Sequence, residues 1–195
     1  MRFGLIFILL LWAPVPALAQ ASSSTTVEVA PISPEAARQQ KLDSLLGKLH
    51  NASPRMDVSR IEQEIWEIWS RNSSPTAEVL LRQSSVAISA GDLDPAEQML
   101  SQLVEVYPTF AEAWNRRASL YYVLKRYDAA MIDIEKAIAL EPRNFGALIG
   151  KGMILQAQNK SDEAIAALKE ALAINPHLQA VKDEIKILEN QEPHA

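Results

Sequence analysis

Between residues 77 and 178 the apolar and small side chains fall at helical spacing, in blocks separated by short polar breaks. The central block, AEAWNRRASLYYVLKRYDAAMIDIEKAIALEPRN, runs from Ala111 to Asn144. Trp114, Ala118 and Tyr121 share one face before a break at Lys125 and Arg126. Ala130, Ile134 and Ala137 share a face after it, and Pro142 closes the block. The spacing predicts two amphipathic helices joined by a tight turn. One such pair cannot cover its own apolar faces and needs neighbours of the same kind. The chain supplies them, because the pattern returns about 34 residues earlier, from Ala77, and about 34 residues later, from Phe145.

The flanking segments carry the same periodicity without the repeat. Ser33-Pro34-Glu35 has the form of a helix start: a hydroxyl cap, Pro in the first turn and a carboxylate beside it. Leu42, Leu45, Leu46 and Leu49 then make a stripe, and Asn51 to Pro54 breaks it. A second helix is predicted from about Asp57 to Arg71, with Ile61, Ile65, Ile68 and Trp69 on one face and Trp66 beside them. Residues 34–73 are therefore expected to be a helical pair capping the open end of the stack, with both Trp side chains in its core. Residues 179–191 carry Val181, Ile185 and Leu188 on one face and predict a terminal capping helix. Local signals inside the first repeat agree. Ser74-Pro75 repeats the cap-then-Pro start, Gly91 suits a left-handed helix end, and Asp94 with Glu97 has the spacing of a capping box.

The three blocks resemble the tetratricopeptide repeat, whose cue is W-x2-L-G-x2-Y…A-x3-F…P. The matching positions are Trp114, Arg117, Ala118, Tyr121, Ala130, Ile134, Ala137 and Pro142 in the central block. In the block before they are Leu80, Gln83, Ser84, Ala87, Ala96, Leu100, Leu103 and Pro108. In the block after they are Leu148, Lys151, Gly152, Leu155, Ala164, Leu168, Ala171 and Pro176. Gln83, Arg117 and Lys151 are polar where the family has Leu. Arg117 is expected to pair with a carboxylate such as Asp133, and Tyr127 to pack in the turn. The resemblance implies an all-α fold, a right-handed α-solenoid with repeats at 77–110, 111–144 and 145–178.

It also implies a concave wall made by the first helix of each repeat. The wall positions carried over from the family are Glu78, Leu81, Arg82, Ser85, Ile88 and Ser89 in the first repeat. In the second they are Glu112, Asn115, Arg116, Ser119, Tyr122 and Val123, and in the third Gly146, Ile149, Gly150, Met153, Gln156 and Ala157. Some family members hold a peptide's terminal carboxylate with Lys, Asn and Arg. The matching positions here are Leu81, Ser85, Arg116, Gly146 and Gly150, so that clamp is absent. The expected partner-binding groove is Leu81, Arg82, Ser85, Ile88, Asn115, Arg116, Ser119, Tyr122, Ile149 and Met153. It suits an extended or helical apolar segment of another protein, pinned by Asn and Arg. Gly146 and Gly150 either admit a bulky partner residue or let a neighbouring helix approach.

Composition narrows the function. In 195 residues, 19 Lys plus Arg face 24 Asp plus Glu, a net charge of −5, which speaks against a nucleic-acid partner. There is no cysteine, so no disulfide, thiolate metal site or cysteine nucleophile is available. The three histidines, His50, His177 and His194, are far apart in sequence, and no hydrolase or metalloprotease motif occurs. No catalytic role, cofactor or metal is expected. Residues 1–19 have the form of a secretory signal, with Arg2, the apolar run Phe3 to Ala13, and Ala17-Leu18-Ala19 before the cut. The run is too short to span a bilayer, so export to the periplasm with cleavage after Ala19 is expected, leaving no membrane span. Residues 20–33, small, polar and Pro-interrupted, read as a tether. The function expected on these grounds is non-catalytic protein binding in support of the cell envelope. A self-associating structural subunit is the other reading.

Overall fold

The computed structural model describes residues 33–53 and 56–191. The expected signal 1–19, most of the tether and His194 lie outside the described residues. Those described form nine helices and no strand: α1 Pro34–His50, α2 Val58–Trp69, α3 Pro75–Ala90, α4 Leu93–Val106, α5 Ala111–Val123, α6 Tyr127–Leu140, α7 Phe145–Ala157, α8 Ser161–Ile174 and α9 Gln179–Gln191. The fold is all-α, a stack of antiparallel helix pairs α3–α4, α5–α6 and α7–α8.

Each pair turns the same way. Gly91, Lys125 and Asn159 stand at equivalent repeat positions with φ of 84°, 58° and 60°. That left-handed backbone lets the next amide bond back into the first helix: Asp92 N–H to Ala87 C=O at 2.9 Å, Arg126 N–H to Tyr121 C=O at 2.8 Å, and Lys160 N–H to Leu155 C=O at 2.9 Å. Glycine adopts this conformation freely, whereas a side chain with a Cβ costs roughly 1–2 kcal/mol there. The left-handed helix end at Gly91 was legible in the sequence; at Lys125 the turn was expected but its left-handed backbone was not, nor was that of Asn159.

Where helices start, the expectations divide. Ser33 accepts the Ala36 N–H at 3.2 Å with Pro34 in the first turn, as its sequence predicts. Ser74 precedes α3 but caps no amide; its hydroxyl meets the Tyr107 hydroxyl at 2.9 Å instead. The expected Asp94–Glu97 box does not form. α4 begins at Leu93, with Asp94 inside the first turn, and Glu97 accepts from Arg126 at 2.8 and 3.0 Å. A local cap is thus exchanged for a link to the next repeat's turn.

Between helices, small residues set the approach. Ser84 and Ala118 are fully buried, and a Cβ on Gly152 would lie 2.8 Å from the Leu168 side chain. Arg117, in place of an apolar residue, donates from Nε and Nη2 to Asp133 at 2.6 and 2.8 Å, with its guanidinium over the Trp114 and Tyr121 rings. Hydrogen bonding to the Asp133 carboxylate raises the Arg117 pKa above its ordinary value, so the guanidinium stays charged. Tyr127 packs beside Tyr122 at the turn, ring centroids 5.8 Å apart.

The helical pair α1–α2 departs from expectation. Leu42, Leu45, Leu46, Leu49, Ile61, Ile65, Ile68 and Trp69 are all buried, but against Phe145, Leu148 and Ala171 of the third repeat. The first repeat has a separate core, built on Ala77, Leu81, Leu100 and Leu103. The pair therefore does not stack on α3 as a cap, and α3 leaves Val79 and Val86 exposed. At the other end α9 packs Val181, Ile185 and Leu188 on α8.

Candidate functional site: the inner wall and the cleft beneath it

The wall of the third repeat is occupied by the chain itself. A Cβ built on Gly146 would collide with the Trp66 indole, so this glycine makes room for a bulky side chain of α2. Trp66, Trp69 and Phe145 form a three-way edge-to-face cluster with centroids 5.1, 5.6 and 5.2 Å apart. Polar links fasten the rim. Arg143 binds Asp43 and Gln39 of α1 as well as Glu141. Asn175 donates to Glu62 at 2.6 Å, and the His177 ring meets the Leu49 carbonyl at 3.0 Å. Hydrogen bonding to Glu141, then to Asp43, raises the Arg143 pKa above its ordinary value.

Magnitudes decide whether the pair could swing away. Eight large apolar side chains buried at about 1.5–3 kcal/mol each exceed roughly 10 kcal/mol of gross stabilisation. If a detached pair kept half of that between its own helices, release would still cost more than about 5 kcal/mol, a population below roughly one in a thousand. The pair is a fixed part of the fold.

This placement revises the expected groove residue by residue. Leu81 is 5% exposed and belongs to the first repeat's core, so it offers no groove surface. Ile88 is half-buried against that core. Ile149 packs between the α1–α2 core and that of α8–α9, and is likewise withdrawn from the groove. Asn115 is 7% exposed, its amide spent on Glu112 at 2.9 Å. Arg82 and Ser119 are exposed, Ser85, Arg116 and Tyr122 are half-buried, and Met153 is 42% exposed. Gly150 faces Ile134 of the preceding repeat, whose Cδ1 would lie 3.2 Å from an added Cβ, so it serves helix approach.

What remains accessible on the wall of the first two repeats is Arg82, Ser119 and part of Arg116, since Leu81, Glu112 and Asn115 are buried. Arg82 and Arg116 stand at the same repeat position on α3 and α5. Glu112, buried in the first turn of α5, accepts from Arg116 Nε at 2.7 Å and from Asn115 Nδ2 at 2.9 Å. Arg116 is thereby held by one edge, and among the described residues its two Nη groups carry no hydrogen bond. Sequence reasoning placed Asn115 and Arg116 on the wall but missed Glu112 as the anchor behind them; the i, i+3 and i, i+4 spacing was the available signal.

Below this wall lies a cavity of about 910 Å³ between the α1–α2 pair and the first two repeats. Residues from five places meet there: Arg38 of α1, Arg71 and Asn72 after α2, Glu78 of α3, Thr109 and Phe110 before α5, and Leu140 at the end of α6. Nothing in the repeat pattern pointed to it, because it exists only where the non-repeat pair crosses the repeats. Among the described residues, no group of three or more His, Cys, Asp or Glu is placed to hold a metal ion, and no helix is long and apolar enough to cross a membrane.

Comparison with known proteins agrees with the stacked pairs. The tetratricopeptide repeat sequence profile matches residues 78–109, 111–144 and 145–178. A TPR repeat-containing protein of Rhizobium etli is 32% identical over 150 residues, 77% of this chain and 74% of that protein. The small glutamine-rich tetratricopeptide repeat-containing protein 2 of Saccharomyces cerevisiae is 35% identical over 98 residues, 50% of this chain and 28% of its own length. Among solved structures, the first TPR of Spaghetti (RPAP3) bound to an HSP90 peptide superposes with a TM-score of 0.58 at 24% identity, covering 60% of this chain and 94% of that one. The Yersinia enterocolitica secretion chaperone SycD, in complex with a peptide of the translocator YopD, gives 0.58 at 13% identity, covering 62% and 98%. The repeat register, the stacked helix pairs and these matches together make the chain a member of the tetratricopeptide repeat family.

Proposed function

We propose that the protein is a non-catalytic binding module that holds a segment of another polypeptide against the inner wall of its first two repeats. The observation that carries this reading is the contrast along the wall: Trp66 fills the third repeat, while Arg82, Ser119 and the free edge of Arg116 face open space in the first two. Peptide complexes of structurally similar domains, such as the RPAP3 and SycD folds, support the mode of use. The signal-like residues 1–19 support export, and we place the protein in the periplasm, serving envelope assembly or integrity.

The test begins with partner capture by crosslinking in intact cells, followed by calorimetry on the purified pair. Ser119→Trp fills the open wall, and Arg82→Ala removes a surface cation that no fold contact needs. Both variants should keep full helicity, and Ser119→Trp should weaken the partner at least about tenfold, or roughly 1.4 kcal/mol. Unchanged affinity in both removes the wall from the mechanism.

A second reading, self-association, draws on Val79 and Val86, which are exposed at 38% and 64% on the uncapped face of α3. Solution mass measured over a range of concentrations decides it: a constant monomer mass excludes it, and a rising mass that Val86→Glu abolishes supports it.

A further inference from the structure

We infer that the cavity beneath the α1–α2 pair is a second half of the binding site, and that it receives an extended polypeptide segment carrying an Asp or Glu beside a large apolar side chain. This rests on the peptide-binding reading above and assigns chemistry to a place that the repeats alone do not make.

The argument is one of unspent hydrogen-bonding capacity. The carboxylates that border the cavity are engaged. Glu35 accepts from Arg38 at 3.0 and 2.8 Å and from Gln39 at 3.1 Å. Glu78 accepts the Asn72 backbone N–H at 2.9 Å, and Glu141 accepts from Arg143 Nε at 2.9 Å. Arg38 is engaged at all three nitrogens, since its Nη1 donates to the Ile68 carbonyl at 3.1 Å. The donors left over include the exposed Arg71 guanidinium, the Asn72 amide and the Ser73 and Thr109 hydroxyls, none of which gives a side-chain hydrogen bond among the described residues. A site whose acids are paired and whose remaining polar groups include a free guanidinium selects a ligand rich in acceptors, above all a carboxylate.

The apolar half of the ligand follows from the rest of the lining. Pro34 and Leu140, with the edges of Trp69 and Phe110, give the cavity an apolar side, although the buried Trp69 Nε1–H has no hydrogen-bond partner among the described residues. That the ligand is a polypeptide and not a small anion follows from continuity. Glu78, which lines the cavity, lies one turn from Arg82 on α3, so the cavity adjoins the wall proposed to hold a partner. A segment lying along Arg82 and Arg116 runs down into the cavity and meets Arg71. Neutral amide and hydroxyl groups such as those of Asn72 and Thr109 are suited to its main chain.

The test is selection from a random displayed-peptide library against the full chain, followed by affinity measurement of the enriched peptides on variants. The exposed Arg71 side chain makes no hydrogen bond or ion pair among the described residues, so Arg71→Ala and Arg71→Lys should leave the fold intact, and Thr109→Trp narrows the cavity from an exposed turn position. The expected result is enrichment of peptides with Asp or Glu next to Leu, Phe or Trp. Their affinity falls about tenfold in Arg71→Ala, as for loss of one charge-assisted hydrogen bond. It is largely restored in Arg71→Lys and falls further in Thr109→Trp. Peptides that are blocked by Ser119→Trp yet indifferent to Arg71→Ala and Thr109→Trp overturn the cavity and leave the open wall standing. A library that yields no binder overturns both. Peptides selected only when residues 20–32 are deleted overturn the inference in favour of the chain's own segment as occupant. A concentration-dependent solution mass that Thr109→Trp abolishes overturns it in favour of a second copy.

Discussion

The third repeat and the first two share one architecture and differ in what faces their inner wall. In the third, Gly146 and the half-buried Ile149 meet Trp66 and the α1–α2 core. In the second, the corresponding positions are Glu112 and Asn115, tied to each other and to Arg116. A helix surface without side chains is an invitation to close packing, and the chain answers it with its own α2. A buried carboxylate already balanced by its own neighbours leaves no socket for an apolar side chain, because packing one there would strand those groups. The difference between an occupied and an open wall thus comes down to a glycine against a glutamate at the same repeat position.

That contrast can be broken most forcefully from the α2 side. Trp69, 5% exposed and in edge contact with both Trp66 and Phe145, should cost about 3–5 kcal/mol on truncation to Ala, read as a lowered urea midpoint. A loss under about 1 kcal/mol would mean that the pair rests on the third repeat without packing into it. Next comes Gly146→Ala, whose new methyl meets the Trp66 ring and should destabilise by about 1–3 kcal/mol. Combining it with Trp66→Leu should recover part of that loss, a coupling that isolates this one contact. Gly150→Ala is the internal control: Ile134 Cδ1 at 3.2 Å can give way, so the change should fall below about 1 kcal/mol.

Smaller effects sharpen the comparison between repeats. Lys125 holds φ of 58° where the first repeat has Gly91, so Lys125→Gly should raise stability by about 1 kcal/mol in the same denaturation experiment. The smallest is acid dependence. Arg38, then Gln39, hydrogen-bond the Glu35 carboxylate and hold its pKa at about 2, down from 4.5. A depressed folded-state pKa gives stability that is complete above the unfolded value and lost as pH falls towards about 2. Glu35 is largely exposed, so the effect should be confined to fraying of the first turn of α1, followed by the amide signals of Ala36 and Ala37.

Much of the fold could be read from the chain because repeats report themselves. Ala96, Ala130 and Ala164 recur in register, each fully buried, and the Arg117–Asp133 pair followed from a cation at an apolar position. The site was less legible. Family positions placed Leu81 and Ile149 on the wall, but side-chain direction there depends on neighbours that a repeat template does not include. The destination of α1–α2 was hidden for the same reason. Its amphipathic stripe announces that a face is buried and says nothing of what buries it. In hindsight the signal was the pairing of an unusual gap, Gly146, with a surplus of bulk, Trp66 beside Trp69. The cavity had no sequence signal at all, since its lining comes from five separate places along the chain.

The seat of α2 is the claim on which the occupied and open walls both depend, and nuclear Overhauser contacts of the Trp66 indole test it most directly in the intact chain. The account predicts cross-peaks from the Trp66 ring to the Gly146 α-protons and to the Phe145 ring. Cross-peaks to Val79 or Val86 of α3 in their place would put the pair on the open end of the stack and contradict it.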